Sequence, residues 1–157
     1  MEGFPEEPRL MRSEEGEKYF QSMLEQIRAF DPKEMIAVSR SGFSYAMWVA
    51  QELRLPLGVY WPSTSVLVAD NLERIVFVDD NVVNGETFSA TKLMMALESP
   101  ETEWRWAVLF TDWNTPKEIR DEVIHGVRLP YFAEEPMWGS RKVSKGYGVR
   151  FRDEDSI

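Results

Sequence analysis

Short runs of consecutive apolar residues alternate along this chain with segments long enough to form helices. The strand-length runs lie in MIAVS, PLGVYWP, RIVFV and EWRWAVLFTDW, and amphipathic segments such as SYAMWVAQELRL and TFSATKLMMALES lie between them. Strands that are apolar at every position are buried on both faces, and helix-length connections join parallel neighbours. The alternation therefore predicts an α/β fold with a central, mainly parallel sheet flanked by helices.

The remaining segments extend the same pattern. A helix is predicted for EEGEKYFQSMLEQIRAF, ending before Pro32, because a residue that precedes proline is disfavoured in helical conformation. STSVLVADNLE is predicted to contain a short strand or hairpin arm. TPKEIRDEVIHG is predicted as a helix with His125 near its end, followed by strands in VRLPYF and YGVRF. We expect a single domain over residues 1–157, with an acidic leader at 1–17 and an acidic tail at 153–157.

Composition narrows the class of protein. A chain of 157 residues with 43% hydrophobic residues can bury a core. With no cysteine and one histidine, disulfides and cysteine-based zinc sites are excluded, and a Ser-His triad has little to draw on. Neither a signal peptide nor an apolar run of about 18 residues is recognisable, so a cytoplasmic protein without membrane association is expected. The net charge of −9 argues against nonspecific nucleic-acid binding.

One window of the sequence is basic in spite of this acidic balance. RKVSKGYGVRFR, residues 141–152, contains lysine and arginine and no acidic residue. It suits either a solvated strand-and-turn face or an edge that binds an anion such as pyrophosphate.

The stretch RIVFVDDNVVNGET carries the strongest functional signal. Asp79 and Asp80 follow four apolar residues, at the end of a predicted strand, where ligands bind in open α/β sheets. Gly85 then allows a tight turn before a helix, so the backbone N–H groups of residues 84–87 converge at the positive end of its dipole. Thr87 adds a hydroxyl donor. This arrangement is suited to a phosphate group.

The two carboxylates need a different part of the ligand, because they repel phosphate. They suit sugar hydroxyls, which donate hydrogen bonds to carboxylates, or a Mg²⁺ ion shared with the ligand. A phosphate on the loop and a diol on the acids together describe a ribose-5-phosphate site. The alternative is structural: Asp80 caps a turn and Gly85 only lets the chain reverse. The residues alone leave both interpretations open.

The sequence IVFVDDNVVNGET resembles the motif by which type I phosphoribosyltransferases bind phosphoribosyl pyrophosphate (PRPP). The resemblance implies that Asp79 and Asp80 hold the ribose hydroxyls and, through water, Mg²⁺. It implies that the following loop wraps the 5′-phosphate, with these residues binding PRPP: Val82, Val83, Asn84, Gly85, Glu86 and Thr87.

Two further segments resemble this family in the expected order. MIAVSRSGFSYAMWVAQELRLPL is similar to the family's first strand, pyrophosphate loop and following helix, which places Ser39, Arg40, Ser41 and Gly42 on the loop. LPYFAEEPMWG resembles the late segment with which xanthine-guanine-type members cover a purine, with Phe132 stacking and Trp138 nearby. The three matches together span about residues 35 to 140.

The resemblance implies a transferase. Catalytic roles would fall to Asp79, Asp80 and Arg40, with Mg²⁺ and the Arg40 loop holding pyrophosphate while a nucleobase nitrogen attacks the ribose. A homodimer is expected, because family members usually pair.

Four positions depart from the family pattern. Asn81 replaces an apolar residue, Asn84 a threonine, and Val83 the third acid that purine-using members carry as a candidate base. Asp112 stands in the stretch where those members carry a lysine that reads a carbonyl oxygen. An acid accepts hydrogen bonds from amino or ring N–H groups instead, which argues against guanine or xanthine. Trp113 beside it is also a candidate base contact, with strand packing the alternative.

The segment PSTSVLVADNLE is too short to form the hood that family enzymes close over the reacting centre. A very short hood suits a large substrate, a partner subunit that completes the site, or the absence of transfer chemistry. Three functions therefore stand: a PRPP-dependent transferase, a non-catalytic protein that binds PRPP or a ribose-5-phosphate-containing nucleotide, and an assembly subunit with a vestigial pocket.

Overall fold

A computed structural model describes residues 14–82, 85–112 and 115–129. The leader before residue 14, the basic window, the acidic tail and the predicted strand YGVRF lie outside these ranges. Helices and strands in chain order are α1 Glu14–Phe30, β1 Glu34–Val38, α2 Phe43–Leu53, β2 Leu57–Trp61, β3 Val66–Val68, β4 Arg74–Val82, α3 Glu86–Glu98, β5 Glu103–Asp112, α4 Lys117–Arg120 and β6 Ile124–Leu129.

The strands form one six-stranded sheet in the order β3-β2-β1-β4-β5-β6. β3 is antiparallel to β2, and every other neighbouring pair is parallel. The predicted mainly parallel α/β sheet is confirmed.

Apolar cores cover both faces of the sheet. On one face, α1 and α2 pack with residues such as Leu24, Val49 and Val78. On the other face, α3 packs with residues such as Phe77 and Trp106. Strand residues contribute alternately to the two cores, as consecutive apolar positions in a doubly covered strand require. No helix in the described part of the chain is long and apolar enough to cross a membrane.

The topology creates a crevice between β1 and β4. The chain leaves β1 through α2 towards one edge and leaves β4 through α3 towards the other, so the strand order reverses between these neighbours. β4 also runs past the end of β1: pairing with β1 reaches Val78, whereas pairing with β5 continues to Val82. Asp79 and Asp80 therefore lie within the strand, beside the crevice, and not after it as the sequence suggested.

The connection between β2 and β4 confirms the short hood. β3 pairs back along β2, and the buried Glu34 at the start of β1 then accepts backbone N–H groups from Asp70 at 2.9 Å and Asn71 at 2.7 Å. These bonds hold residues 70 and 71 at the opposite end of the sheet, and the part of the connection at the crevice end of β2 is the short turn of residues 62–65.

The helix predicted for TPKEIRDEVIHG is wrong in its second half. α4 ends at Arg120, and His125 lies on β6, which pairs with β5. Strand pairing and burial of Ile124 outweigh helix propensity here. Gly126 lets β6 pass close to α1, since a Cβ there would lie 2.5 Å from the Tyr19 carbonyl oxygen.

Candidate ligand-binding site

The acid pair is fixed by hydrogen bonds within the crevice. Asp80 is 6% exposed and Asp79 is half-buried. Asp79 Oδ1 accepts the Ser41 hydroxyl at 3.0 Å and the Asp80 backbone N–H at 2.9 Å. Asp80 Oδ1 accepts the Asn81 N–H at 2.7 Å. Asp80 therefore does not cap a turn; it lies in a strand with its carboxylate facing the crevice.

Burial perturbs the protonation of this pair. Loss of hydration raises the pKa of Asp79 well above its ordinary value, and the neighbouring Asp80 charge raises it further. Burial also raises the pKa of Asp80. The pKa of Tyr45 on α2 is raised by burial and by the Asp80 charge. Two adjacent, poorly hydrated carboxylates are stabilised by a cation or by hydroxyl donors, which is what the candidate ligand would supply.

The loop after β1 packs its backbone directly against β4. The Ser39 N–H donates to the Tyr60 carbonyl at 2.8 Å, and the Gly42 N–H donates to the Val38 carbonyl at 2.9 Å. A Cβ at Gly42 would lie 2.3 Å from the Val78 carbonyl oxygen, so only glycine allows this approach. The Ser39–Arg40 peptide bond is cis.

Polar side chains of this loop are available to a ligand. Arg40 is exposed and makes no ion pair with any residue in the described ranges. Ser41 is exposed and connects the loop to the acid pair through Asp79. The loop thus carries a positive charge on Arg40, next in sequence to Ser41, which lines the crevice.

Gly85 and the start of α3 form the second loop element. Gly85 has φ +83° and precedes the helix, and among the described residues no side chain caps it. The bond from the Ser89 N–H to the Gly85 carbonyl is the first within the helix, so the N–H groups of residues 86–88 lie in the first turn, before the intrahelical hydrogen bonds begin. The side chain of Ile119 on α4 packs against Gly85. The structure therefore places a glycine with positive φ directly before a helix, at the position where the sequence predicted phosphate binding.

These elements line a cavity of about 210 Å³. Its walls are formed by Ser41, Asp79, Asp80, Asn81, Val82, Gly85, Glu86, Thr87, Phe88 and Trp106. Donors from the helix start and acceptors from the acid pair open on the same space. Within the described residues, no cluster of three or more His, Cys, Asp or Glu side chains is arranged to hold a metal ion.

Solved structures identify the fold. The purine phosphoribosyltransferase of Pyrococcus horikoshii matches with a TM-score of 0.56 at 21% identity, over 74% of this chain and 87% of that one. The orotate phosphoribosyltransferase of Aeropyrum pernix matches with a TM-score of 0.58 at 22% identity, over 76% and 75%. This is the type I phosphoribosyltransferase fold. The xanthine-guanine-hypoxanthine phosphoribosyltransferase of Helicobacter pylori is also similar, with a TM-score of 0.53 at 15% identity, over 75% and 83%. No protein-family model and no curated protein sequence matches the chain.

Trp106 is a cavity residue that the sequence did not single out. Its ring stacks on Phe77 and meets Phe88 edge to face, so it packs on a face of the sheet. It also lines the phosphoribosyltransferase-fold cavity, and its buried indole N–H has no hydrogen-bond partner in the described part of the chain. The sequence carries no signal for this position, because it depends on the strand register that pairs Trp106 with Phe77, two residues before Asp79.

The base-contact candidates are mostly outside the described ranges. Asp112 is the last residue of β5, and its backbone pairs with Leu129 of β6. Its side chain is not among those that the structure describes. Trp113, Phe132 and Trp138 lie outside it too, as do Val83 and Asn84 of the phosphate loop. The structure thus brings together the acid pair, Gly85 to Thr87 and the Ser39–Gly42 loop, and the base contacts stay predictions.

Proposed function

We propose that the protein is a phosphoribosyltransferase that uses PRPP to transfer phosphoribose to a nucleobase or base-like nitrogen, releasing pyrophosphate. One observation carries the proposal: the acid pair Asp79 and Asp80, a helix start that no described side chain caps, and the Ser39–Gly42 loop meet at the strand-order reversal of a type I phosphoribosyltransferase fold. The named neighbours act on purines, orotate, and xanthine, guanine or hypoxanthine, which makes a nucleobase the class of acceptor to test.

Each part of PRPP has a matching element. The 5′-phosphate accepts hydrogen bonds from the N–H groups of residues 86–88 and from the Thr87 hydroxyl, and the helix dipole favours its charge. The ribose hydroxyls donate to Asp79 and Asp80. Arg40 and the Ser39–Gly42 loop bind pyrophosphate, since guanidinium pairs well with phosphate oxygens.

Mg²⁺ fits the donor set as an ion shared with the ligand. Mg²⁺ in proteins keeps several waters and takes one or two carboxylates together with substrate phosphates. Asp79 and Asp80 supply carboxylates whose raised pKa values already indicate a need for positive charge. When bound, the ion would neutralise charge that develops on the leaving pyrophosphate. Asp79 and Asp80 would hold it through water.

The chain's own residues act by positioning and electrostatics. The acceptor nitrogen forms a bond to C1 of the ribose as the C1–O bond to pyrophosphate breaks, with the electron pair leaving on the pyrophosphate oxygen and the nitrogen losing its proton to water. The carboxylates fix the ribose at the hydroxyls next to C1 and stabilise the positive charge that develops there. Arg40 stabilises the opposite charge on pyrophosphate.

A non-catalytic protein that binds PRPP or a nucleotide is the second candidate. The observation that favours it is the β2–β4 connection, which offers only the short turn of residues 62–65 at the crevice end of the sheet and so provides no long hood to exclude water from the reacting centre. Such a protein would bind PRPP without turnover.

Titration calorimetry with PRPP, with and without Mg²⁺, followed by an assay for pyrophosphate release against a panel of nucleobases, distinguishes these functions. The transferase requires Mg²⁺-dependent binding and release with at least one base. Saturable binding without release from any base would favour the sensor. Absence of binding to PRPP and to nucleoside monophosphates would contradict both.

We also propose a cytoplasmic homodimer. Residues 55–69 contain no charged residue in a chain of net charge −9, and Trp61, Val66 and Val68 are exposed on neighbouring strands of this edge. An uncharged, apolar edge lets two like-charged copies associate. Sedimentation should give a dimer that Val66→Lys/Val68→Lys converts to a monomer; a monomeric wild-type protein would contradict this.

A further inference from the structure

Tyr60 of β2 contacts both loop elements of the candidate site without lining the cavity. Its backbone carbonyl accepts the Ser39 N–H of the first loop at 2.8 Å. Its hydroxyl lies 3.0 Å from the Thr91 hydroxyl of α3, and Thr91 Oγ1 lies 2.8 Å from the Thr87 carbonyl in the first turn of that helix. Tyr60 is 1% exposed and Thr91 is fully buried.

The hydroxyl protons have one consistent arrangement. A carbonyl oxygen can only accept, so the single Thr91 proton is donated to Thr87. The Tyr60 hydroxyl then donates its own proton to Thr91 Oγ1. The result is a buried chain of two hydrogen bonds from β2 to the first turn of α3.

The chain of bonds is held rigidly at its β2 end. The Tyr60 ring packs edge to face on Phe77 of β4, with ring centroids 5.3 Å apart, inside the core under α3. Because β2 lies two strands from β4 in the sheet, this contact fixes the helix start independently of the loop that connects it to β4. Buried hydrogen-bonded networks of this kind restrict the local conformations of the groups they join.

We infer that Tyr60 is a positioning residue that holds the first turn of α3 in place for the phosphate of the ligand. The inference rests on the proposed function, because it assumes that residues 86–88 bind the 5′-phosphate. Tyr60 acts on that end through its side chain and on the pyrophosphate loop through its backbone. A change of the side chain should therefore affect the two ends of PRPP unequally.

The test measures the affinities of ribose 5-phosphate and of pyrophosphate separately by calorimetry. Tyr60→Phe removes only the hydroxyl and should weaken ribose 5-phosphate binding roughly three- to tenfold, the effect of one net hydrogen bond. Pyrophosphate affinity should stay as in wild type, since the carbonyl that holds Ser39 is unchanged. Thr91→Ser, which keeps the hydroxyl, is the conservative control and should bind both ligands normally.

A double-mutant cycle shows whether Tyr60 and Thr91 affect ribose 5-phosphate binding through the same chain of hydrogen bonds or independently of each other. Thr91→Val breaks the same chain, so Tyr60→Phe/Thr91→Val should bind ribose 5-phosphate no more weakly than the weaker single variant. Wild-type affinity in Tyr60→Phe, or equal weakening of both ligands, would overturn the role of Tyr60. If wild-type protein binds PRPP and ribose 5-phosphate at no measurable affinity, the proposed function itself fails, and this outcome is distinct from the first.

Discussion

The loops that follow β1 and β4 face the same crevice but are stabilised in different ways. The Ser39–Gly42 loop is held by its backbone, through hydrogen bonds to β1 and β2 and through the contact of Gly42 with β4, while Arg40 and Ser41 stay exposed. The β4 side of the site is held by side chains: the half-buried Asp79, the buried Asp80 and the Thr91 bond to Thr87.

The difference predicts that substitutions of exposed side chains in the first loop change ligand affinity without changing stability, whereas substitutions on the β4 side change both. Exposed side chains of the first loop are free to serve a ligand, so changing them should alter affinity alone. On the β4 side, the same groups that would bind ribose and phosphate also determine the stability of the folded chain. Four substitutions test that contrast, from the largest expected effect to the smallest.

Gly42→Ala should be the most destabilising change at the site. Its Cβ would meet three backbone atoms, at 2.3, 2.9 and 2.9 Å, and backbone cannot move aside as a side chain can. Overpacking of this kind costs about 3 kcal/mol at the upper end of its usual range. Urea unfolding measures the loss.

Gly126→Ala on β6 is the matched control, since its Cβ would meet the Tyr19 carbonyl oxygen at 2.5 Å, two strands away from β4 and outside the set of residues that line the cavity. Both variants should lose stability, but only Gly42→Ala should lose PRPP binding when assayed below its unfolding transition. Wild-type stability of Gly42→Ala would contradict the close packing of this loop.

Gly85→Ala should cost about 1–2 kcal/mol, because φ +83° is disfavoured for any residue with a Cβ. The added methyl also lies 2.3 Å from Ile119 Cδ1, an atom that can rotate away. Gly85→Ala/Ile119→Val removes that atom and should recover only the steric part of the loss. Full recovery in the double variant would mean that the backbone conformation contributes nothing.

Asp79→Asn should raise the melting temperature at neutral pH while abolishing ligand binding. The pKa of Asp79 is raised in the folded state, mainly by burial, so the folded state binds this proton more tightly than the unfolded state. Stability of the wild type therefore falls as pH rises from the ordinary aspartate range through the folded pKa. The gain in Asp79→Asn should shrink towards about pH 4, where both states of the wild type take up the proton.

Asp121→Asn is a control for which the opposite change in melting temperature is expected, because the pKa of Asp121 is lowered and that of Asp79 is raised. Asp121 is exposed, and the hydrogen bond from Lys117 at 2.7 Å lowers its pKa. The group thus favours the folded state above its unfolded pKa, and Asp121→Asn should slightly lower the melting temperature at neutral pH. A neutral-pH melting temperature of Asp79→Asn at or below that of wild type would contradict the burial argument.

Arg40→Gln should have the smallest effect on stability, within about 0.5 kcal/mol, because Arg40 is exposed and forms no ion pair within the described ranges. Pyrophosphate affinity should nevertheless fall roughly tenfold, since hydrogen bonds to charged groups contribute about 1.5–3 kcal/mol. Arg28→Gln, an exposed arginine in the last turn of α1, should change neither quantity. Unchanged pyrophosphate binding in Arg40→Gln would remove the first loop from the site.

The sequence predicted most of what positions the site, because the parallel strands are marked by consecutive apolar residues. The acid pair, Gly85 and the Ser39–Gly42 loop were all placed at the crevice in advance. The extension of β4 through Val82 was missed, because polar residues within a strand read as its end.

Two other features depend on contacts between distant residues. His125 was assigned to a helix because TPKEIRDEVIHG has helical character, and only pairing with β5 makes it a strand. The Tyr60–Thr91–Thr87 chain joins residues from β2 and α3, which no local pattern connects.

Thermal unfolding with PRPP and Mg²⁺, in wild type and in Asp79→Asn/Asp80→Asn, tests the central claim most directly. A ligand at 100 times its dissociation constant stabilises the folded state by about 2.7 kcal/mol, which for this size of domain is a rise of roughly 5–10 °C. We predict a Mg²⁺-dependent rise in wild type that the double variant lacks. An equal rise in both proteins, or none in wild type, would contradict the assignment of the acid pair to the ribose of PRPP.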